Sequence, residues 1–293
     1  MAFTLNPSDK TFIELQTGKY SWWENLKENE NISIQIRKNN KIDVYYKGGA
    51  ILGNLVYKKK AFSARIHNKY IPLKNDKGYK SLILNNNDVK LASKFEPIGF
   101  SNFESEKLKL IMDRVEKHYG SESEKAIQFG LVTCDPYIID AEFQFDKSLR
   151  IDLVRLDVNS KKIVFIEIKT IDDSRLFSEP GKNSKNIFHQ LKKYHEFANT
   201  NKKDLLDYYG KVLKIKINLG IAKPKIRDLT LDGWQIEPRP LLAFGDCTKE
   251  WIKNNAADID KKIKNVAYGA YYFGNSKPPL DLVPKTKQNR HVF

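Results

Sequence analysis

Between Ile32 and Leu84 apolar and polar residues alternate with a period of two, in the runs "ISIQI", "KIDVYY", "FSARI" and "SLIL", each set between Asn, Gly and Lys clusters. Side chains on a strand point to opposite faces in turn, so this alternation predicts half-buried strands and a β-rich first hundred residues. Gly48-Gly49 in "DVYYKGGAILG" reads as a turn or bulge, because it lacks the Lys-Ser/Thr of a phosphate-binding loop.

From Ser101 the period changes. Ser101 and Glu104 form a capping box, and Leu108, Ile111, Val115 and Tyr119 recur at helical spacing until Gly120. The shift predicts a domain boundary near residue 100, with one domain over 1–100 and another over 101–293. A second capping box, Ser121 and Glu124, opens a short helix towards Gly130, and Pro136 separates it from the strand-like "AEFQF". Beyond "DDSRLFSEPGKNSKN", the stripe Ile187, Leu191, Tyr194 and Ala198 predicts a helix. Strand-like "KVLKIKINLGIA" and "RPLLAFGD" follow, then a helix from about Lys249 to Lys264, a final "AYGAYYF", and a basic tail "KTKQNRHVF" expected to fray. No repeat or low-complexity segment interrupts this order, which predicts an α/β fold with a mixed sheet flanked by helices.

The stretch "RIDLVRLDVNSKKIVFIEIKT", residues 150–170, predicts a hairpin with Asn159-Ser160 at its tip. In that register Asp157 faces Lys162, an opposite-charge pair that supports it, and Leu156, Val154 and Leu153 face Ile163, Phe165 and Ile166. Both faces are then largely apolar, as in strands covered on two sides. The same register sets Asp152 against Glu167, with β-carbons about 5 Å apart, and Lys169 on the same face. Two carboxylates so placed repel, and a cation between them offsets the cost. Oxygen donors of this kind suit Mg2+ or Mn2+, and an adjacent ammonium can position water or offset charge at a phosphodiester. An ordinary salt-bridged hairpin is the competing reading, and the apolar character of the other positions on that face argues against it.

Asp152, a gap of fourteen residues, and Glu167-Ile168-Lys169 resemble the motif of the PD-(D/E)XK nuclease superfamily, with Ile151 where a proline commonly stands. Gln190 and Tyr194 resemble the Q-x-x-x-Y motif of the recombination-exonuclease branch, and Glu124 lies on the preceding helix, where many members carry another acidic metal ligand. The resemblance spans residues 101 to about 225. It implies a restriction-endonuclease-like core, a central mixed β-sheet flanked by helices; the β-rich N-terminal domain precedes that core and is outside the resemblance, and a C-terminal helix and strand extension is expected to follow it. It implies that Asp152 and Glu167, with Glu124, would hold Mg2+ or Mn2+, and that Lys169 would orient or activate water. Gln190 and Tyr194 would hold substrate or site, with Lys192 and Lys193 beside them as substrate contacts. Glu124 has an equally good role in its own capping box, and Glu142 is an alternative ligand.

Charge fits this reading. Lys and Arg number 51 against 36 Asp and Glu, a net charge of +15 that suits a polyanionic partner. Residues 181–227 hold twelve basic and three acidic residues, an excess that could line a nucleic-acid path or form a solvated face. Trp22-Trp23 could stack on bases, but core packing is the better reading. His118, His189 and His195 share no metal-ligand spacing and read as surface residues. Cys134 and Cys247 are too few for a disulfide framework, and with no secretory or membrane-spanning pattern a cytoplasmic protein is expected. The expected function is a metal-dependent nuclease acting on DNA, in prokaryotic restriction, anti-phage defence or repair. A homodimer, or a partner protein bound through the N-terminal domain, is a further expectation. The alternatives are a catalytically silent nucleic-acid-binding or regulatory subunit on the same fold, and an RNA-directed nuclease.

Overall fold

The computed structural model describes residues 3–71, 78–86, 88–91, 103, 105–119, 124–145, 149–173, 186–274 and 290–292. The chain divides into two compact units, one of residues 1–121 with 210–222, the other of 122–209 with 223–293. The first therefore extends past the boundary expected near residue 100. Both units mix helices with a sheet, and the described residues form seven α-helices and two six-stranded sheets.

In the first unit, β1 (Ser33–Arg37), β2 (Lys41–Tyr46), β3 (Gly49–Lys58), β4 (Ala61–His67), β5 (Tyr79–Leu84) and β6 (Val89–Leu91) form an antiparallel meander in chain order. Two helices that the alternation did not predict precede it, α1 (Lys10–Leu15) and α2 (Ser21–Glu28). Trp22 and Trp23 are fully buried on α2, so they pack rather than present rings for stacking on bases. The stripe Leu108, Ile111 and Val115 is buried on α3 (Ser105–Tyr119), while its predicted cap, Ser101 and Glu104, lies outside the described residues.

The second unit contains α4 (Glu124–Cys134), β7 (Ile138–Gln144), β8 (Arg150–Asp157), β9 (Lys162–Thr170), α5 (Ile187–Thr200), the start of α6 (Lys202–Asn218), β10 (Gln235–Gly245), α7 (Lys249–Ile263), β11 (Gly269–Phe273) and β12 (Arg290–Val292). Ser121, the predicted cap of α4, lies outside the described residues. "KVLKIKINLGIA" is not a strand: its first eight residues continue α6. The alternation over Lys214–Ile217 is too short to outweigh the helical stripe Leu205, Tyr209 and Val212, all buried. Nor does the whole tail fray, since Arg290–Val292 pairs in parallel with β11.

The sheet runs β12-β11-β10-β9-β8-β7, antiparallel from β7 to β9 and parallel from β9 to β12. Strand β9 thus sits where the two modes meet. Parallel pairing with β10 requires a crossover, which α5 and α6 provide. On one face, Leu153, Ile166 and Ile168 pack with Ile127 and Leu131 of α4. On the other, Leu242 and Phe244 pack with Ile187 and Leu191 of α5 and with Ile252 and Ile259 of α7.

The hairpin has the expected register, Asp157 opposite Lys162 through Leu153 opposite Ile166. Its charges are satisfied differently. Lys162 Nζ donates to Glu237 Oε2 at 2.8 Å, and Asp157 Oδ2 accepts from Ser160 Oγ at 2.6 Å, so the register does not depend on an Asp157–Lys162 ion pair. Farther along β8, Arg155 Nε donates to Asp135 Oδ2 at 2.7 Å, and both residues are buried. Removing one partner of such a pair strands the other charge. Asp135→Ala is expected to cost roughly 3–5 kcal/mol, read as an earlier midpoint in urea unfolding.

Candidate active site

Alternate residues of a strand share a face, and Ile166 and Ile168 pack towards α4, so Glu167 and Lys169 turn to the side covered by α5. Their partners on β10, Leu242 and Phe244, belong to that side as well. Strand β8 brings Asp152 to the same place. The β8–β9 ladder ends at Leu153–Ile166, and one step farther the Ile168 N–H donates to Asp152 Oδ2 at 2.9 Å. A side-chain carboxylate thus takes a strand donor at the hairpin's open end, while Asp152's own carbonyl accepts from Gln128 Nε2 of α4 at 2.7 Å.

Helix α5 supplies the rest. Asn186 caps it by accepting from the Phe188 N–H at 2.8 Å, and the four-residue spacing of Gln190 and Tyr194 aligns both side chains on the helix face towards β9. Gln190 Nε2 donates to Glu167 Oε1 at 2.7 Å and to the Tyr194 hydroxyl at 2.9 Å. That hydroxyl lies 2.8 Å from Glu167 Oε2 and also contacts the Arg150 carbonyl, so one proton serves two acceptors. Burial and the adjacent Glu167 raise the Tyr194 phenol well above its ordinary value, which keeps that proton in place. Lys169 Nζ donates to Glu167 Oε1 and, at 2.8 Å, to the Ile168 carbonyl.

Asp152, Glu167 and Lys169 are 4%, 2% and 1% exposed, so protein groups rather than bulk water must balance their charges. Burial first, and then the Asp152 charge, push Glu167 up to about 8, against the pull of Lys169 and Tyr194. A second cation would relieve that repulsion. The ladder bond uses one Asp152 oxygen, and the two carboxylates are hard oxygen donors, a set that fits Mg2+ or Mn2+ with water in most ligand positions. Among the described residues no group of three or more His, Cys, Asp and Glu side chains gathers to hold a metal.

The structure thus brings together Asp152, Glu167, Lys169, Gln190 and Tyr194. Glu124, at the start of α4, does not join the two acids in a group of three. Glu142, the alternative ligand, is engaged by Lys125, with Arg150 Nη1 3.5 Å from its other oxygen. Lys192 and Lys193 are exposed on α5, with Lys192 4.0 Å from Glu196. Two of the twelve basic residues counted above have structural roles: Lys216 is buried and donates to Gln35, and Lys223 donates to the Val132 and Asp135 carbonyls at the end of α4. His118 and His189 are exposed, whereas His195 is half-buried with Nε2 2.7 Å from Asn199 Nδ2. Gln128, which fixes the Asp152 backbone, was missed. Its signal was an amide between Ile127 and Leu131, in an otherwise apolar stripe of α4.

Because the folded chain holds the Glu167 proton more tightly than the unfolded chain does, metal-free stability falls as pH rises from about 4.5 to about 8. Asp152→Asn removes the neighbouring charge. In EDTA its melting temperature should drop less than that of the wild type between pH 5 and pH 8, and Mn2+ at pH 8 should raise the wild-type melting temperature by a few degrees while leaving the variant nearly unchanged. Scanning fluorimetry at both pH values checks this. Compared with protein-family models, curated proteins and solved structures, the chain matches none of them.

Proposed function

We propose that the chain is a Mg2+- or Mn2+-dependent nuclease that hydrolyses DNA phosphodiester bonds, on a core of restriction-endonuclease-like type. One observation carries the reading: two buried carboxylates and a buried ammonium share one face of a central hairpin, and an amide and a phenol from the crossover helix hold the Glu167 carboxylate. A salt bridge made only for stability gains little from a second carboxylate at that spot, which raises Glu167 rather than lowering it.

Asp152 and Glu167 are the residues that would hold the cation. When bound, a divalent cation there would polarise a phosphoryl oxygen and lower the pKa of water. Gln190 and Tyr194 fix both Glu167 oxygens, and the Ile168 N–H fixes Asp152, so the acids need little reorganisation. Lys169 supplies a positive charge that can orient the attacking water and offset charge on the phosphodiester. Hydrolysis forms a bond from the water oxygen to phosphorus, breaks one ester P–O bond, and transfers a proton to the leaving oxygen. A role in restriction, anti-phage defence or repair, and cytoplasmic location, belong to this proposal by analogy with the fold.

Plasmid and linear DNA incubated with Mg2+ should be cut by the wild type and be resistant to cutting in EDTA. Asp152→Ala and Lys169→Ala should each lower the rate by at least about 100-fold, and cleavage surviving both substitutions overturns the assignment. Salt-sensitive binding indifferent to EDTA, without cleavage, would identify a silent binding subunit instead, and preferential cutting of RNA of equal length an RNA-directed enzyme.

A further inference from the structure

Glu142 lies in strand β7 with φ +58°, a left-handed conformation that non-glycine residues rarely hold inside a strand. The pairs Ala141–Leu153 and Phe143–Ile151 set it level with Asp152. Ala141 packs on the α4 side with Leu153, so an extended backbone at residue 142 would send its side chain to the opposite face, where Asp152 points. The left-handed turn directs the carboxylate instead to Lys125 of α4 and towards Arg150. Strained backbone of this kind clusters at active sites.

Two cations share this one carboxylate. The Lys125 side chain is largely buried and its charge lies beside that of Arg150 at the same carboxylate, an arrangement that a further anion would offset. Lys125 Nζ also lies 3.2 Å from Gln128 Oε1, and the same amide donates to the Asp152 carbonyl, which places the cluster one side chain from the acid pair. Arg150, whose side chain is 50% exposed, can swing from Glu142 to a ligand arriving from solvent. It precedes Asp152 by two residues, and its own carbonyl contacts Tyr194.

We propose that Lys125 and Arg150 form a subsite for a backbone phosphate of nucleic acid next to the one cut, and that Glu142 is the internal anion filling it in the free protein. The proposal rests on the nuclease reading only for the class of ligand. Phosphate arrival exchanges one anion for another, so the ion pairs with Glu142 are a cost that binding must overcome. An ion pair serving stability alone has no such competition.

The test reads opposite signs from two substitutions in the full chain, using fluorescence anisotropy with a labelled 20-nucleotide DNA in EDTA at several salt concentrations. Arg150→Gln should weaken binding roughly three- to tenfold and lower the slope of log affinity against log salt by about one. Glu142→Gln should tighten binding roughly threefold or more by releasing both cations. Affinity unchanged in Arg150→Gln, whose half-exposed side chain can be replaced without emptying the core, overturns the subsite, and so does weaker binding in a folded Glu142→Gln. Mg2+-dependent cleavage measured in parallel separates the two ideas. Opposite shifts without cleavage leave the subsite standing and remove the nuclease, whereas cleavage without those shifts does the reverse.

Discussion

An ionised carboxylate gives up several kcal/mol of hydration when it is buried, and it can stay ionised only if protein groups replace what water supplied. Strand β9 buries Glu167 on a covered sheet face and β8 sets Asp152 close by, so the cost is incurred twice in one place. The surrounding arrangement answers that cost. Lys169 reaches back to Glu167 from two positions along the strand, α5 lowers an amide and a phenol onto it, and the ladder gives up a backbone N–H to Asp152. These donors reduce the repulsion without cancelling it, since Glu167 remains raised.

The topology explains why the donors are available. A parallel partner for β9 obliges the chain to cross over the sheet before β10 begins, and the first crossover helix passes above the face where Glu167 and Lys169 emerge. The antiparallel partner β8 places Asp152 at the hairpin's open end, where the ladder has stopped. On the reverse face, α4 packs Ile127 and Leu131 against the sheet and sends Gln128 to the backbone of Asp152. Each element thus contributes packing and at least one polar contact, which leaves the polar groups little freedom to rearrange.

How far the sequence revealed this depended on the range of the interaction. The hairpin register was legible from Asp157–Lys162 to Leu153–Ile166 because a two-residue tip was assumed and side-chain period fits it, and Gln190 with Tyr194 was legible because a fixed helical spacing implies a shared face. The reason given for the register was not: Lys162 turns to Glu237, a residue 75 positions away that no local pattern names. Helix α6 was misread because four alternating residues imitate a strand, and the residues that make it a helix lie upstream. The short helices α1 and α2 left too few turns for a clear stripe. The excess of basic residues over 181–227 overstated the available charge, because composition cannot show that Lys216 is buried or that Lys223 caps a helix end.

Helix α6 begins among the residues of one unit and ends among those of the other. The meander's unit therefore includes a segment that begins at residue 210, well after its last strand ends at Leu91, and Gln35 of β1 finds Lys216 only once that segment exists. A ribosome that has released residues 1–121 has not yet delivered the whole of the first unit. Its completion waits on the translation of β7, β8, β9 and α5, so the order of folding is tied to the order of synthesis. An N-terminal fragment ending near residue 121 would lack that closing segment, and the two units cannot be separated by a single cut in the gene.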